Sequence, residues 1–430
     1  MLGGGSSGEH FVGALRRLDT HSEITVVERH LVGGECSYYA CMPTKTMLRA
    51  PELLAATRHS DGAVGGASLD LSHIFAWRDL VAERDDTSQV EWLASRNATL
   101  IRGEAVVREP GVLAVGDEEL RYDRLVIATG STPAIPPIPG IDEVEYWTNV
   151  DATTTLEAPH RLVVLGGGAV GCELAQFFQR VGSQVTLVQS DTRLLPRVDS
   201  DAAVLVEEAL REDGVVLRLG ATATAVTSDS LLLADETELP FDRLLVATGR
   251  RPNVDGLEPL GLEISRRGIE VDGRMRAAEN VWAIGDVTGI APFTHVGKYH
   301  ARIVAYDMAG RDAHADHRAV PATIFTDPQV ATVGDTTGGV NSTWELTSVP
   351  RLSTYERPKR KGFVKVVADP ERRVLTGAVA VGPESGEWLQ QLTLAIRAET
   401  PIDVLLDVIP PYPTFSEGVF LALRELNLDL

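Results

Sequence analysis

Cysteine is scarce in this chain: three residues among 430, and two of them, Cys36 and Cys41, fall inside one stretch, GGECSYYACMPTK (33–45). So few thiols build no disulfide scaffold, and a reducing, cytoplasmic compartment is the expectation. No histidine or further cysteine adjoins the pair to complete a zinc ligand set, so no metal site is expected. Long hydrophobic runs are also missing. No stretch approaches the ~18 apolar residues of a membrane-spanning helix, and the opening MLGGGSSGEHF has neither the charged start nor the apolar core of a secretory signal. Positive charge is in short supply, with 40 Lys and Arg against 61 Asp and Glu and a net charge of −21. Such a surface repels phosphate backbones, which argues against nucleic acid or an anionic membrane as a partner. What is abundant is apolar residue content, 44% over a length that suits two or three domains.

The elements alternate as in an α/β protein. GGGSSG (3–8) leads into a helical stretch, EHFVGALRRLDT, and then an apolar strand, EITVVE, ending at Glu28. The arrangement recurs: strand RLVVL (161–165), loop GGGAVG (166–171), helix CELAQFFQRVG, strand SQVTLVQ ending at Gln189. Each copy is followed by an ATG turn, Thr129-Gly130 in the first and Thr248-Gly249 in the second. A proline-rich crossing spans Pro133 to Pro139, VWAIGDVTG (281–289) follows the second copy, and alternating strands such as FVKVVA begin after about Val320. The expected fold is two doubly wound, Rossmann-like domains plus a C-terminal α+β domain. The expected boundaries are 1–150 for the first nucleotide unit, 151–279 for the second, 280–318 for a return to the first, and 319–430 for the last domain.

Gly3, Gly5 and Gly8 fit the dinucleotide fingerprint G-x-G-x-x-G, with Glu28 placed to take ribose hydroxyls; Gly166, Gly168 and Gly171 repeat it. Glycine lets the backbone approach a pyrophosphate, and the helix start beyond it offers free N–H groups. Two copies, each between strand and helix, make chance glycine-rich turns a poor explanation. The second copy has Gln189 where a carboxylate would favour NADH, and Arg193 is near enough to attract a 2′-phosphate, so the reading leans to NADPH. The first copy has only Met1 and Leu2 ahead of Gly3. Its central strand is expected to be nearly absent, leaving the neighbouring strands short of ladder partners, as if the start lay upstream or the chain were clipped.

A regular helix would hold Cys36 and Cys41 near 8–9 Å apart, on partly opposed sides. They pair only if the segment is a distorted turn. Pro43 suits a helix start, where a thiolate is stabilised.

Two glycine loops, GGECSYYACMPTK, two ATG turns and AIGD, in this order over nearly the whole chain, resemble the FAD-dependent pyridine nucleotide–disulfide oxidoreductases, the class I group of lipoamide dehydrogenase, glutathione reductase and mercuric reductase. The resemblance implies FAD on the first unit and NAD(P)H on the second, a homodimer, and Asp286, after Gly285 in AIGD, on the ribityl chain. It implies that Cys41 faces the flavin, that Cys36 exchanges with the acceptor, and that Lys45 and Glu173 form a pair near the flavin ring. The implied function is hydride transfer from NAD(P)H through FAD to a Cys36–Cys41 disulfide and on to a small-molecule acceptor: a disulfide, a quinone or a metal complex. Alternatives are a dihydrolipoamide dehydrogenase-like or mercuric reductase-like enzyme, or a non-catalytic flavin-binding sensor or relic.

The chain also departs from that family. Its small-disulfide reductases end in His-Pro-Thr with a Glu five positions after the His; here the stretch is Tyr412-Pro413-Thr414-Phe415-Ser416-Glu417, and His317 is the last histidine. A phenol with a pKa near 10 is a poor base at neutral pH, so weak activity on lipoamide or glutathione disulfide is expected. Tyr38 and Tyr39 replace small or amide residues between the cysteines, with packing as their expected role, and Ala169 replaces an aromatic gate. No cysteine follows Cys172, expected to pack as a small hydrophobe, and the absence of a C-terminal thiol pair disfavours mercury reduction.

Overall fold

The computed structural model describes residues 1–60, 66–356 and 360–426. Backbone contacts divide the chain into two units. One comprises residues 1–43, 78–134 and 249–316; the other comprises 44–77, 135–248 and 317–430.

In the first unit, Ile24–Glu28 pairs in parallel with Ala98–Arg102, and Leu125–Ile127 pairs in parallel with Val281–Ala283. Ile24–Glu28, Leu125–Ile127 and Val281–Ala283 are apolar and mostly buried, as inner parallel strands require, whereas Ala98–Arg102 is buried only at Ala98. Leu2 joins the two pairs. It bridges Val27 on one side and Ile127 on the other, and Leu2 N and Gly3 N donate to Val126 O and Val27 O. The sequence suggests that a missing first strand would leave its neighbours unpaired; this stub of two residues, with Leu2 buried, restores the ladder there through Met1 O, Leu2 N and Gly3 N. Helices Ser6–Arg16 and Thr294–Met308 pack together, burying Phe11, Val12 and Leu15 with Val26, Ala301 and Val304. The chain returns to this unit at Arg250–Pro252, which pairs antiparallel with Ser131–Pro133. That lies ahead of the boundary expected at 280, because these short strands give no period in the sequence.

In the second unit, four parallel strands run in the order Val216–Leu219, Gln184–Gln189, Arg161–Leu165, Arg243–Val246. The helix Ala169–Arg180 buries Cys172, Leu174, Phe177 and Phe178. A five-stranded antiparallel sheet follows, ordered Pro321–Ile324, Gln329–Gly334, Val374–Gly382, Phe363–Asp369, Val340–Glu345. The helices Gln390–Arg397 and Ser416–Arg424 share an apolar core with it through Leu392, Ile396, Val419 and Leu423. The chain is thus two doubly wound nucleotide-binding domains with a C-terminal α+β domain. Among the described residues no helix is long and apolar enough to cross a membrane.

Candidate functional site

The two glycine loops are the same piece of geometry. In the first, Gly3 has φ +94 and a Cβ there would stand 2.3 Å from Ala128 O; a Cβ on Gly8 would stand 2.4 Å from Gly3 O. In the second, Gly166 has φ +114 with Ala247 O at 2.4 Å, and Gly171 would meet Gly166 O at 1.9 Å. The outer glycines are therefore fixed by the turn and by the close packing of helix on strand. The middle ones differ. A Cβ on Gly168 meets nothing within 4 Å, and one on Gly5 only Gly34 Cα at 3.8 Å. Both are N-caps in extended backbone, at the head of a helix, with no side-chain capping bond. An open cradle at a helix start is what a pyrophosphate needs, so both loops fit a dinucleotide.

The corner at the end of the second strand also repeats. Glu28 Oε2 accepts from Gly4 N at 2.7 Å, and Oε1 accepts from His30 N. Gln189 Oε1 accepts from Gly167 N at 3.0 Å, and its Nε2 donates to Asp191 Oδ2 at 2.9 Å. Arg193 is occupied elsewhere than the sequence suggested. Its terminal nitrogens donate to Leu195 O, Val198 O and Pro196 O, which pins its own loop rather than offering the guanidinium to a phosphate.

Between the cysteines the backbone breaks. A short helix, Gly34–Tyr38, ends at Tyr39, and a second, Cys41–Thr57, starts at Cys41. The distorted turn that pairing demands is therefore present, with Tyr39 N and Ala40 N both donating to Glu35 O. The two sulfurs form no disulfide, and the hydrogen bond between them, with burial second, pushes the Cys36 thiol well above its ordinary range. Cys41 Sγ lies 3.7 Å from Thr294 Oγ1, the first residue of the 15-residue helix Thr294–Met308. Thr294 was missed by sequence reasoning; its one signal is a threonine opening a helix eight positions after Asp286. Tyr38 is a packing residue: it is buried, donates to Val32 O at 2.6 Å and fills the space above Gly33.

Around the ATG turns, Thr129 Oγ1 donates to Asn253 O and Asn253 Nδ2 to Thr129 O, while Gly130 and Gly249 have φ +71 and +119. Gly285 is tightly placed, since a Cβ there would stand 2.7 Å from Ser7 Oγ. Asp286 Oδ2 accepts from Ser131 Oγ at 2.7 Å; that hydroxyl accepts from Arg250 Nε, and Arg250 also donates to Glu35. This relay orients the Asp286 carboxylate, and its members are too far apart in sequence for a motif to reveal.

In the second unit Lys45 Nζ donates to Glu173 Oε2 at 2.6 Å and stands 4.8 Å over the Phe325 ring. Glu173 is 4% exposed, and its other oxygen accepts from Phe325 N at 2.9 Å. The pair expected from the sequence is thus formed. Tyr412 is 73% exposed, Glu417 Oε2 is buried without a hydrogen-bond partner among the described residues, and Cys172 is fully buried.

Residues 1–309 match the family described as pyridine nucleotide-disulphide oxidoreductase, and residues 320–422 match its dimerisation domain. A mercuric reductase of Shigella flexneri is 34% identical, the match covering 99% of this chain and 80% of that one. A dihydrolipoyl dehydrogenase of Thermus scotoductus is 33% identical, covering 99% and 96%. Among solved structures, LpdA from Mycobacterium tuberculosis superposes with a TM-score of 0.87 at 26% identity over 98% of each chain. The HOCl-induced flavoprotein disulfide reductase RclA from Escherichia coli gives 0.85 at 27% identity, covering 99% and 98%. With its two dinucleotide cradles and its dithiol, the chain belongs to the pyridine nucleotide–disulfide oxidoreductases, enzymes that use FAD and NAD(P)H.

Proposed function

We propose that this oxidoreductase delivers the electrons of its Cys36–Cys41 pair to a metal complex rather than to a small disulfide, acting as a cytoplasmic homodimer. The observation that carries the reading is position 412, where an exposed tyrosine stands and no histidine follows His317. Closing the Cys36–Cys41 disulfide releases two electrons and the protons on the sulfurs. A disulfide acceptor must have its leaving thiolates protonated, and a placed acid–base group there typically contributes 10²–10⁴-fold. A metal ion accepting single electrons needs no proton on a leaving group, so the one proton still to be moved is that of Cys36, which passes to solvent. The relatives agree with this chemistry: several are mercuric reductases, and one solved form of RclA is its Cu(II) complex. A dihydrolipoyl dehydrogenase-like activity is the second reading, supported by the Thermus relative and by the retained Glu417.

In this reading Gly3, Gly5 and Gly8 hold the FAD pyrophosphate on the start of Ser6–Arg16, Glu28 takes the ribose, and Asp286, oriented by Ser131, takes the ribityl chain. Gly166, Gly168 and Gly171 do the same for the nicotinamide nucleotide. Bound FAD supplies a centre that accepts hydride from NAD(P)H and passes two electrons to a disulfide. Cys41 carries the thiolate, steadied by the Thr294 hydroxyl and the N–H groups of that helix start. Cys36 keeps the proton, as its raised pKa requires. Lys45, fixed by Glu173, supplies positive charge.

The test is an anaerobic titration followed by an acceptor screen. NAD(P)H should bleach the flavin and produce a long-wavelength absorbance that Cys41→Ser abolishes. The reduced protein should then reduce Cu(II) complexes faster than lipoamide or glutathione disulfide. Rapid lipoamide turnover with no metal reduction would favour the second reading, and a protein that stays colourless after incubation with FAD would remove both.

A further inference from the structure

Gln189 is buried, and both ends of its amide are committed. Gly167 N is a donor, so the oxygen must face it; the NH₂ end must then point the other way, and it meets Asp191 Oδ2 at 2.9 Å. In the first loop one carboxylate serves the corner by itself, Glu28 accepting from both Gly4 N and His30 N. In the second loop the amide satisfies the turn, and the negative charge moves two residues along, to an exposed side chain held by that amide.

We infer that the second dinucleotide site selects NADH over NADPH, with Asp191 as the residue that accepts from the adenosine 2′-hydroxyl and repels a 2′-phosphate. The inference rests on the reading of this loop as the nicotinamide nucleotide site, and it reverses the lean drawn from Gln189 and Arg193 in the sequence. Two observations support it independently. A carboxylate is present beside the strand end where ribose selection takes place. The arginine that would have attracted a phosphate is spent, because its two terminal nitrogens serve three backbone carbonyls of its own loop. Releasing them for a ligand would leave those carbonyls to find other donors. The other arginine of the loop, Arg197, is exposed and lies beyond Pro196, so it enters the test directly.

The test uses the full chain loaded with FAD and measures binding, not turnover, by calorimetric titration with NAD⁺ and with NADP⁺. NAD⁺ should bind at least about tenfold more tightly, the scale on which one misplaced like charge discriminates. Asp191→Asn keeps an acceptor for the Gln189 amide and removes the charge; it should close most of that gap, chiefly by strengthening NADP⁺. Arg193→Ala should leave the ratio of the two affinities unchanged. Equal or tighter NADP⁺ binding by the parent protein would overturn the inference, as would an NAD⁺ preference that survives Asp191→Asn unaltered or an NADP⁺ affinity that collapses in Arg197→Ala. Failure of both nucleotides to bind would overturn it together with the assignment of this loop, whereas an NADP⁺ preference would leave that assignment standing.

Discussion

Cys36 gives its proton to a hydrogen bond with Cys41, and that bond, followed by burial, holds the thiol above its ordinary range. The thiolate is the species that attacks a disulfide. Under the proposed mechanism, in which no histidine serves Cys36, its proton leaves to solvent. Turnover with any disulfide acceptor is therefore expected to climb steadily between about pH 7 and 9, as the thiolate fraction grows with pH. Rates measured across that range check this; a bell centred near neutrality would mean that another group takes the proton. Lys45 permits a second residue-scale prediction. Glu173 is almost wholly buried, so Lys45→Met leaves one of its oxygens without the ammonium. Loss of about 1–3 kcal/mol in stability is expected from urea unfolding, while Lys45→Arg retains most of it. Of the candidate residues, the cysteine pair was legible because both thiols lie in one short segment, and the Lys45–Glu173 pair only through the family resemblance, since its members stand 128 positions apart. Thr294 was not, standing 253 residues from the sulfur it touches, and the carbonyl partners of Arg193 were hidden because they belong to an irregular loop.

At the scale of elements, the strand–loop–helix turn was the most legible part of the chain, because glycine spacing reports backbone geometry directly. The structure separates the roles within each triplet. Gly171→Ala would put a methyl 1.9 Å from Gly166 O. That forces the helix off the strand, and a loss of about 3 kcal/mol or more is expected, visible as a lowered urea midpoint. Gly168→Ala meets only open space and should leave stability within about 0.5 kcal/mol. It should nonetheless weaken nucleotide binding by about tenfold or more, since its methyl fills the cradle; calorimetry on the two variants separates the effects. What the sequence hid at this scale were the shortest strands. Leu2 is a single buried residue, yet it bridges two strands, and Arg250–Pro252 has no periodicity by which to be seen.

At the scale of the molecule, the C-terminal unit exposes apolar side chains that a solitary chain would not favour. Ile409 is 92% exposed, and Leu394, Val404, Val408 and Tyr412 are more than half exposed within the same dimerisation domain. A homodimer that covers them is expected, and Ile409→Asp should raise its dissociation constant by about tenfold or more in sedimentation equilibrium. The domain class of this region was legible from its alternating strands; the exposed apolar side chains were not, because exposure depends on how distant segments pack. Glu173 carries a consequence of its own. One oxygen fastens an ammonium 128 positions earlier in the chain and the other fastens a backbone amide 152 positions later. Deuterium uptake at the Phe325 amide is thereby a gauge of whether that carboxylate is in place, readable with neither electron donor nor acceptor in the tube.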